Sequence, residues 1–160
     1  METGSVSEEA FRRACAKFAT GVAVATTCDA EGVPHGITVN SFTSVSLEPP
    51  LVLICIDYRS VALPHFREAR SYGINVLSLA QRELSNRFAQ RSEPRFDGVE
   101  WHAGLSGIPL LDGALAHFEC ELGQVVEAGD HAVLIAEVVH ASSIDGEPLL
   151  YFASGYVRLR

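Results

Sequence analysis

The chain has 160 residues, of which 48% are apolar and 20% are charged, and its formal net charge is −8. This composition is typical of a globular protein with a full core and excludes an intrinsically disordered chain. The negative balance argues against nucleic acid or an anionic membrane as a partner, although it allows a local basic pocket for a phosphate. The longest apolar runs are shorter than a membrane span, and the length predicts one domain over residues 1–160.

The first third of the chain predicts one helix followed by three strands. Ser5 and Glu8 have the spacing of a capping box, and the apolar residues after them keep a helical period to Phe18 for about three turns. Residues 1–7 are expected to be flexible. Runs rich in β-formers predict strands at 22–27, 33–42 and 51–56, with Asp29-Ala30-Glu31-Gly32 as the turn between the first two.

The middle of the chain predicts two helices around one strand. Ser60 precedes a short helical pattern to Ala69, and Pro64 falls in its first turn, where proline is tolerated. A strand is predicted over 72–79 and a helix over 79–89. From residue 91 to 110 the periodicity weakens, which predicts a long irregular segment with a short strand at 99–102.

The last third predicts strands at 115–127 and 132–140, a turn between them, and short strands at 149–152 and 156–159. Many strands in meander order with few helices argue against a doubly wound parallel sheet. A glycine-rich turn after the first strand is also missing, so the sequence does not support a Rossmann dinucleotide site. We predict a mainly β fold, an antiparallel barrel with a few helices covering its ends.

The segment from Thr38 to Asp57 carries the strongest functional signal. Hydroxyl and amide side chains lead through Pro49-Pro50 into an apolar run, a composition that suits a polar ligand held by neutral hydrogen bonds at the edge of a buried sheet. The same composition fits a polar strand and a Pro-Pro turn equally well. Ser60, at a predicted helix start beside Arg59, is compatible with an anion site, and equally with an ordinary helix cap.

Histidine, cysteine and tyrosine residues give weaker signals. His131 follows Gly129-Asp130 at a hairpin turn, where it is able to contact a flat ligand or simply face water. The other five histidines show no metal-binding spacing, so no metal site is predicted. The four cysteines are interpreted as small core residues of a reduced, cytoplasmic protein. Tyr151 and Tyr156 form an aromatic pair for packing or for the wall of a ring site.

Together these segments resemble the short-chain flavin reductase family, the reductase components of two-component flavin-dependent monooxygenases. The matching pieces are Phe18 to Val22, Thr38 to Pro50, Asn75 to Leu77, Gly129 to His131 and Tyr151 to Tyr156, in the family's order. One position departs from the pattern, since Ala136 stands where the family has glycine. A methyl group there is a mild change that tightens a close backbone contact.

The resemblance implies a split β-barrel and a homodimer that binds FAD or FMN and takes hydride from NADH, or less favourably from NADPH. It places the flavin among Thr38, Val39, Asn40, Ser41, Ser44 and Val45, and against the backbone of Cys55, Ile56 and Asp57. Ser60 and Val61 are expected at the phosphate, and Arg87 and Phe88 near the phosphate or adenylate end. His131 and Tyr151 are expected to border the nicotinamide, with His131 in a positioning or charge-compensating role.

The implied activity is reduction of flavin by NADH, with release of reduced flavin to an oxygenase component. Three alternatives stay open at this point. They are an oxidase related to pyridoxamine-phosphate oxidases, a flavin-binding carrier or sensor without turnover, and a structural β-barrel that binds no flavin.

Overall fold

The computed structural model describes residues 4–91 and 95–160, and in this part of the chain strands predominate over helices. The elements in chain order are α1 Glu8–Cys15, β1 Thr20–Gly21, β2 Ala23–Cys28, β3 Pro34–Val39, β4 Thr43–Leu47, β5 Pro50–Asp57, α2 Leu63–Ala69, β6 Ser71–Val76, a 3-10 turn Leu79–Gln81, α3 Arg82–Ala89, β7 Trp101–Ala103, β8 Pro109–Leu111, β9 Ala116–Ala128, β10 His131–Ser143, β11 Leu150–Phe152 and β12 Gly155–Val157.

The main sheet has seven strands in the order β3-β2-β6-β9-β10-β5-β4, and every neighbouring pair is antiparallel. Strands β1, β11 and β12 form a separate three-stranded sheet, and β7 pairs with β8. The prediction of a mainly antiparallel β fold with a few helices is therefore confirmed. Strands β3 and β4 stand at the two ends of the sheet order, and within the described residues no ladder joins them.

The core is built around β2, β5 and β6, of which β2 and β6 bury most of their residues and β5 buries alternate ones. In β5, Val52, Ile54 and Ile56 are buried while their neighbours are not, which is the period-2 pattern of a strand with one buried face. They pack with Phe66 of α2 and Tyr72 of β6 in the larger of two core clusters. A smaller cluster around Val24 and Phe88 attaches α3 and the C-terminal strands.

The first helix differs from its prediction in both its cap and its length. The N-cap is Ser7, whose hydroxyl accepts from the amide of Ala10 at 3.2 Å, so the predicted Ser5–Glu8 capping box is wrong. The helix has eight residues and ends at Cys15, because Ala16 and the residues after it turn toward β1. None of its residues is buried, and Phe11 is 59% exposed.

Two other expectations need correction. Residues 43–47 form a strand of their own, β4, which follows a break after Val39, so the predicted strand 33–42 is too long. A cis peptide bond joins Glu48 to Pro49 in the β4–β5 turn. Cys15 is exposed and Cys28 and Cys55 are half-buried, so of the four free cysteines only Cys120 is a core residue.

The irregular segment contains β7 and β8, and the prediction of a short strand at 99–102 is shifted by two residues at its start. Part of that segment, residues 92–94, lies outside the described residues, as do residues 1–3 of the predicted flexible terminus. Within the described ranges no helix is long and apolar enough to cross a membrane.

Candidate functional site

A groove made of three adjoining clefts runs along β3 and the residues that follow it. The polar cleft, about 400 Å³, is lined by residues 18–23, residues 39–43 and Val76. The tyrosine cleft, about 310 Å³, shares Val22, Val39 and Asn40 with it and adds Thr38, Ser85, Ala89, Tyr151 and Tyr156. The arginine cleft, about 160 Å³, shares Ala89 with the tyrosine cleft and is lined by Ile37, Asp57, Arg59, Ser60, Val61, Phe88, Gln90, Arg91 and Arg95.

The polar cleft contains one buried hydroxyl that lacks a partner. Among the described residues, the Oγ1 atom of Thr20 is buried and forms no hydrogen bond. Such a group is destabilising when nothing satisfies it, by about 1–3 kcal/mol. Thr20 lies on β1, within the Phe18–Val22 piece of the sequence, but its hydroxyl was not among the predicted site residues. Strand pairing with Tyr151 of β11 fixes its position.

Two hydroxyl groups that were predicted to bind the ligand are instead hydrogen-bonded to backbone groups around the groove. The hydroxyl of Thr38 donates to the carbonyl of Ser85 at 2.7 Å and so joins β3 to α3. The hydroxyl of Ser41 accepts from the amide of Cys55 at 2.9 Å and donates to its carbonyl at 3.1 Å. Asn40 lies between them, exposed, and its amide makes no hydrogen bond within the described residues.

The tyrosine cleft has an aromatic wall fixed by polar contacts. The rings of Tyr151 and Tyr156 meet edge to face, with centroids 5.7 Å apart. The hydroxyl of Tyr156 lies 2.6 Å from that of Ser85 and donates to the side-chain oxygen of Asn86 at 3.0 Å. The guanidinium of Arg82 lies 5.0 Å from the centroid of the same ring. These contacts connect β12 to α3 and make this wall of the groove rigid.

The arginine cleft concentrates positive charge next to the tyrosine cleft. Arg95 is 4% exposed, and its guanidinium donates to the carbonyl of Gly36 at 2.7 Å. Arg91 lines the same cleft. Sequence reasoning missed both residues, because they lie in the segment without periodicity. Their guanidinium groups and the hydroxyl of Ser60 are the donor types that bind phosphate.

Arg59 contributes less positive charge than the sequence suggests, because Asp57 binds it. Its guanidinium contacts both carboxylate oxygens of Asp57, with the shortest distance 2.8 Å. Hydrogen bonds from the Arg59 side chain and backbone hold the pKa of Asp57 far below its ordinary value. Ser60 does not cap α2 at its first residue, since the N-cap is Ala62; instead, its hydroxyl accepts from the amide of Ala62 at 3.2 Å.

His131 lies directly across the β5–β10 ladder from Asp57. Its Nδ1 atom is 2.7 Å from Asp130, and its side chain is 43% exposed. The imidazole lies near two carboxylates, and the described clefts do not include it among their lining residues. Its predicted role toward nicotinamide stays a prediction.

Five further predicted residues are not among the lining of these clefts, and one of them is Cys55, whose backbone pairs with the hydroxyl of Ser41. Arg87 lines a further depression, which shares Gln90 with the arginine cleft, and its guanidinium donates to the carbonyl of Asp97. Ser44 and Val45 are exposed on β4, at the edge of the sheet. Ile56 is 1% exposed and packs in the core, so only its backbone is able to contact a ligand. The structure thus brings together Thr38, Val39, Asn40, Ser41, Asp57, Ser60, Val61, Phe88 and Tyr151.

Comparison with known proteins identifies the family of this chain. The chain matches the family described as "Flavin reductase like domain" over residues 15–160. It belongs to the flavin reductase family. The resemblance drawn from the sequence is confirmed, and so is the family's fold. The chain is 43% identical over 155 residues to "FMN reductase (NADH) SmoA" of Agrobacterium fabrum, covering 97% of this chain and 88% of that protein.

A solved flavin reductase structure has the same arrangement of strands. The "NADH:FAD oxidoreductase SgcE6" of Streptomyces globisporus, solved with NAD and FAD fragments, superposes with a TM-score of 0.91 at 36% identity, covering 96% of this chain and 93% of that one.

The chain spans about half the length of some relatives. It is 43% identical over 146 residues to the reductase component of the flavin-dependent trigonelline monooxygenase of Acinetobacter baylyi, covering 91% of this chain but 47% of that protein. The chain likewise covers 47% of the length of a relative from Rhizobium meliloti.

Proposed function

We propose that this flavin reductase transfers hydride from NADH to FAD or FMN and supplies free reduced flavin to a partner monooxygenase. The observation that carries the proposal is the groove, whose clefts share lining residues and lead from an uncharged cleft with a few hydroxyl and amide side chains to a cleft lined by arginines. A flavin nucleotide has the same two parts, a flat neutral ring system and an anionic phosphate. Relatives whose names specify NADH with FMN or FAD support it.

The residues of the groove fit a flavin by the chemistry of their donors. The unpartnered hydroxyl of Thr20 and the exposed amide of Asn40 are neutral groups suited to the polar edge of the ring. Residues 18–23 and 39–43, which line the polar cleft, include no carboxylate and no lysine or arginine. Arg91, Arg95 and Ser60 suit the phosphate, at the other end of the groove.

The protein's part in such a reaction is to position two rings and to exclude water. Bound flavin supplies the hydride acceptor, its N5 atom. Tyr151 and Tyr156 form the rigid aromatic side of the groove, while the bonds of Thr38 and Ser41 fix the opposite side. Neutral donors placed before the reaction stabilise negative charge that develops on the ring, and they need no rearrangement during it.

His131 is proposed as a positioning residue for the nicotinamide or its charge. This role is supported by the position of His131 beside Asp57, which is the last residue of β5 and lines the arginine cleft. The His131→Ala variant is expected to raise the KM for NADH or to lower kcat, and unchanged values of both would remove this role.

We also propose a single cytoplasmic domain that forms a homodimer, with NADH favoured over NADPH. Support for the dimer comes from large apolar side chains that stay exposed in one copy, among them Phe18 at 78% and Leu47 at 94%. Light scattering of the purified protein measures its oligomeric state, and a monomer at micromolar concentration would contradict this part.

The deciding experiment follows NADH absorbance with purified protein, with FAD, with FMN and without added flavin. The expected result is NADH oxidation that requires added flavin. Flavin binding seen by fluorescence quenching, without NADH oxidation, would instead indicate a carrier or sensor. Absence of both would show that the chain keeps only the fold of its family.

A further inference from the structure

The β2–β3 hairpin and α2 bring three potential metal ligands together outside the groove. Asp29 follows β2, His35 lies on β3 and His65 lies on α2. One ligand atom of each residue lies within 4.8 Å of the other two. Sequence spacing concealed this cluster, since 30 residues separate His35 from His65. These histidines show no metal-binding spacing in the sequence, yet the fold brings His35 and His65 into contact.

The carboxylate of Asp29 is held in place by the hairpin itself. Its Oδ1 atom accepts from the amides of Glu31 at 3.0 Å and Val33 at 2.9 Å. The other carboxylate oxygen of Asp29, Oδ2, lies 3.0 Å from the Nε2 atom of His35. The side chains of Asp29 and His35 are only 18% and 15% exposed, so both are largely removed from water.

The second imidazole has an unsatisfied nitrogen. Within the described residues, the Nδ1 atom of His65 is buried and makes no hydrogen bond. Its ring stacks on that of His35 with centroids 3.5 Å apart and an angle of 6° between the planes. Water would normally satisfy such an atom, and in the tautomer that leaves this nitrogen unprotonated its lone pair is free to bind a metal ion.

We propose that Asp29, His35 and His65 bind a divalent transition-metal ion, with zinc as the best fit. Two imidazole nitrogens and one carboxylate oxygen are typical zinc ligands, and three protein ligands leave a fourth position for water. Tetrahedral zinc keeps its ligand atoms about 3.3 Å apart, so the three atoms need to approach one another by about 1.5 Å at most. Parallel rings do not point both lone pairs at one ion, so binding requires one ring to tilt.

Such an ion would connect two elements that flank the arginine cleft. Ile37 lies two residues beyond His35 on β3, and Val61 lies four residues before His65; both line that cleft. The metal would therefore fix the separation of the hairpin and α2 at the phosphate end of the groove. The ion would lie outside the groove, because none of its three ligands lines the described clefts.

The test is metal binding by the untagged, chelator-treated full chain, with Co²⁺ as the visible-absorbing probe and Zn²⁺ as its competitor. Wild type is expected to bind one equivalent of Co²⁺ with the intense bands of a tetrahedral or five-coordinate site, which Zn²⁺ abolishes. Zn²⁺ is also expected to raise Tm, because an ion bound only by the folded chain stabilises it.

Two variants preserve the local structure while removing a ligand. His65→Phe keeps a ring for stacking, and Asp29→Asn keeps the acceptor for the hairpin amides; each is expected to weaken Co²⁺ binding by at least about tenfold. The control is His102→Phe, because His102 is an exposed histidine paired with Asp112 elsewhere. No Co²⁺ bands in wild type, affinity within about twofold of wild type in His65→Phe, or an equal loss in the control would each overturn the proposal. These readouts involve neither flavin nor NADH, so they stand apart from the proposed reductase activity.

Discussion

Replacing Thr20 by valine should stabilise the free protein and weaken flavin binding at the same time. Valine has the shape of threonine without the hydroxyl, and in the free protein that hydroxyl is buried and unpartnered within the described residues. Removing an unsatisfied buried polar atom should raise the free energy of unfolding by about 1–3 kcal/mol. If flavin satisfies the hydroxyl, the penalty is already absent from the complex, so the substitution stabilises the free protein and leaves the complex about unchanged. The Kd for flavin should then rise about 5- to 150-fold.

Urea unfolding measures the first effect, and quenching of flavin fluorescence measures the second, with FMN and FAD in separate titrations. Thr27→Val is the matched control, because the buried hydroxyl of Thr27 donates to the carbonyl of Ser71 at 2.8 Å and lies outside the groove. It should destabilise the chain by about 1 kcal/mol and leave the flavin Kd unchanged. A Kd for Thr20→Val within about twofold of wild type would refute the reasoning. A twofold change corresponds to only about 0.4 kcal/mol, and one hydrogen bond contributes more than that.

Three other perturbations follow from the structure. Gly36→Ala would place a methyl group 2.8 Å from the buried ring of Phe88, so the urea midpoint should drop by an amount equivalent to about 1–3 kcal/mol, and an unchanged midpoint would contradict the packing. The pKa of Asp57 is held low by hydrogen bonds from Arg59, and a depressed carboxyl pKa contributes stability above its unfolded value that is lost as pH falls. Stability measured by urea between about pH 5 and pH 2 should therefore fall less steeply in Arg59→Gln than in wild type. Burial raises the pKa of the Cys120 thiol to about 12, so a disulfide reagent at neutral pH should modify it only in the unfolded chain, and rapid labelling of Cys120 in the native protein would be inconsistent with this core.

Most strands were predictable because their side chains alternate or form long apolar runs. Residues 22–27, 51–56 and 132–140 all fall within observed strands or overlap them closely. The β4 strand was harder, since its residues are mostly exposed at the sheet edge, and a polar sequence there fits a loop equally well. The helix cap was misassigned because Glu8 stands three residues after Ser5, as a capping box requires, whereas the third residue after Ser7 is Ala10, which contributes only its backbone amide.

The site was only partly predictable, because a sequence shows which groups are present and does not show which are already engaged. Thr38 and Ser41 have the right chemistry for a ligand, yet their hydroxyls bind Ser85 and Cys55. Thr20 differs from them only in lacking a partner among the described residues, which depends on its three-dimensional surroundings. Arg95 gave no signal because its segment has no period, and its contact with Gly36 spans 59 residues.

The pairing of β1 with β11 determines when the tyrosine cleft can form during synthesis. Thr20 faces Tyr151 across that ladder, so about 130 further residues must be made after Thr20 before β1 can pair and the aromatic wall of the tyrosine cleft can form. Contacts this distant in sequence form late, because the chain between them must be ordered first. The main sheet can pair all seven of its strands once Ser143 has left the ribosome, which is before β11 appears. A nascent chain at that stage would have its large core and the residues of the polar and arginine clefts, and the aromatic wall of the tyrosine cleft would arrive with the β11–β12 hairpin.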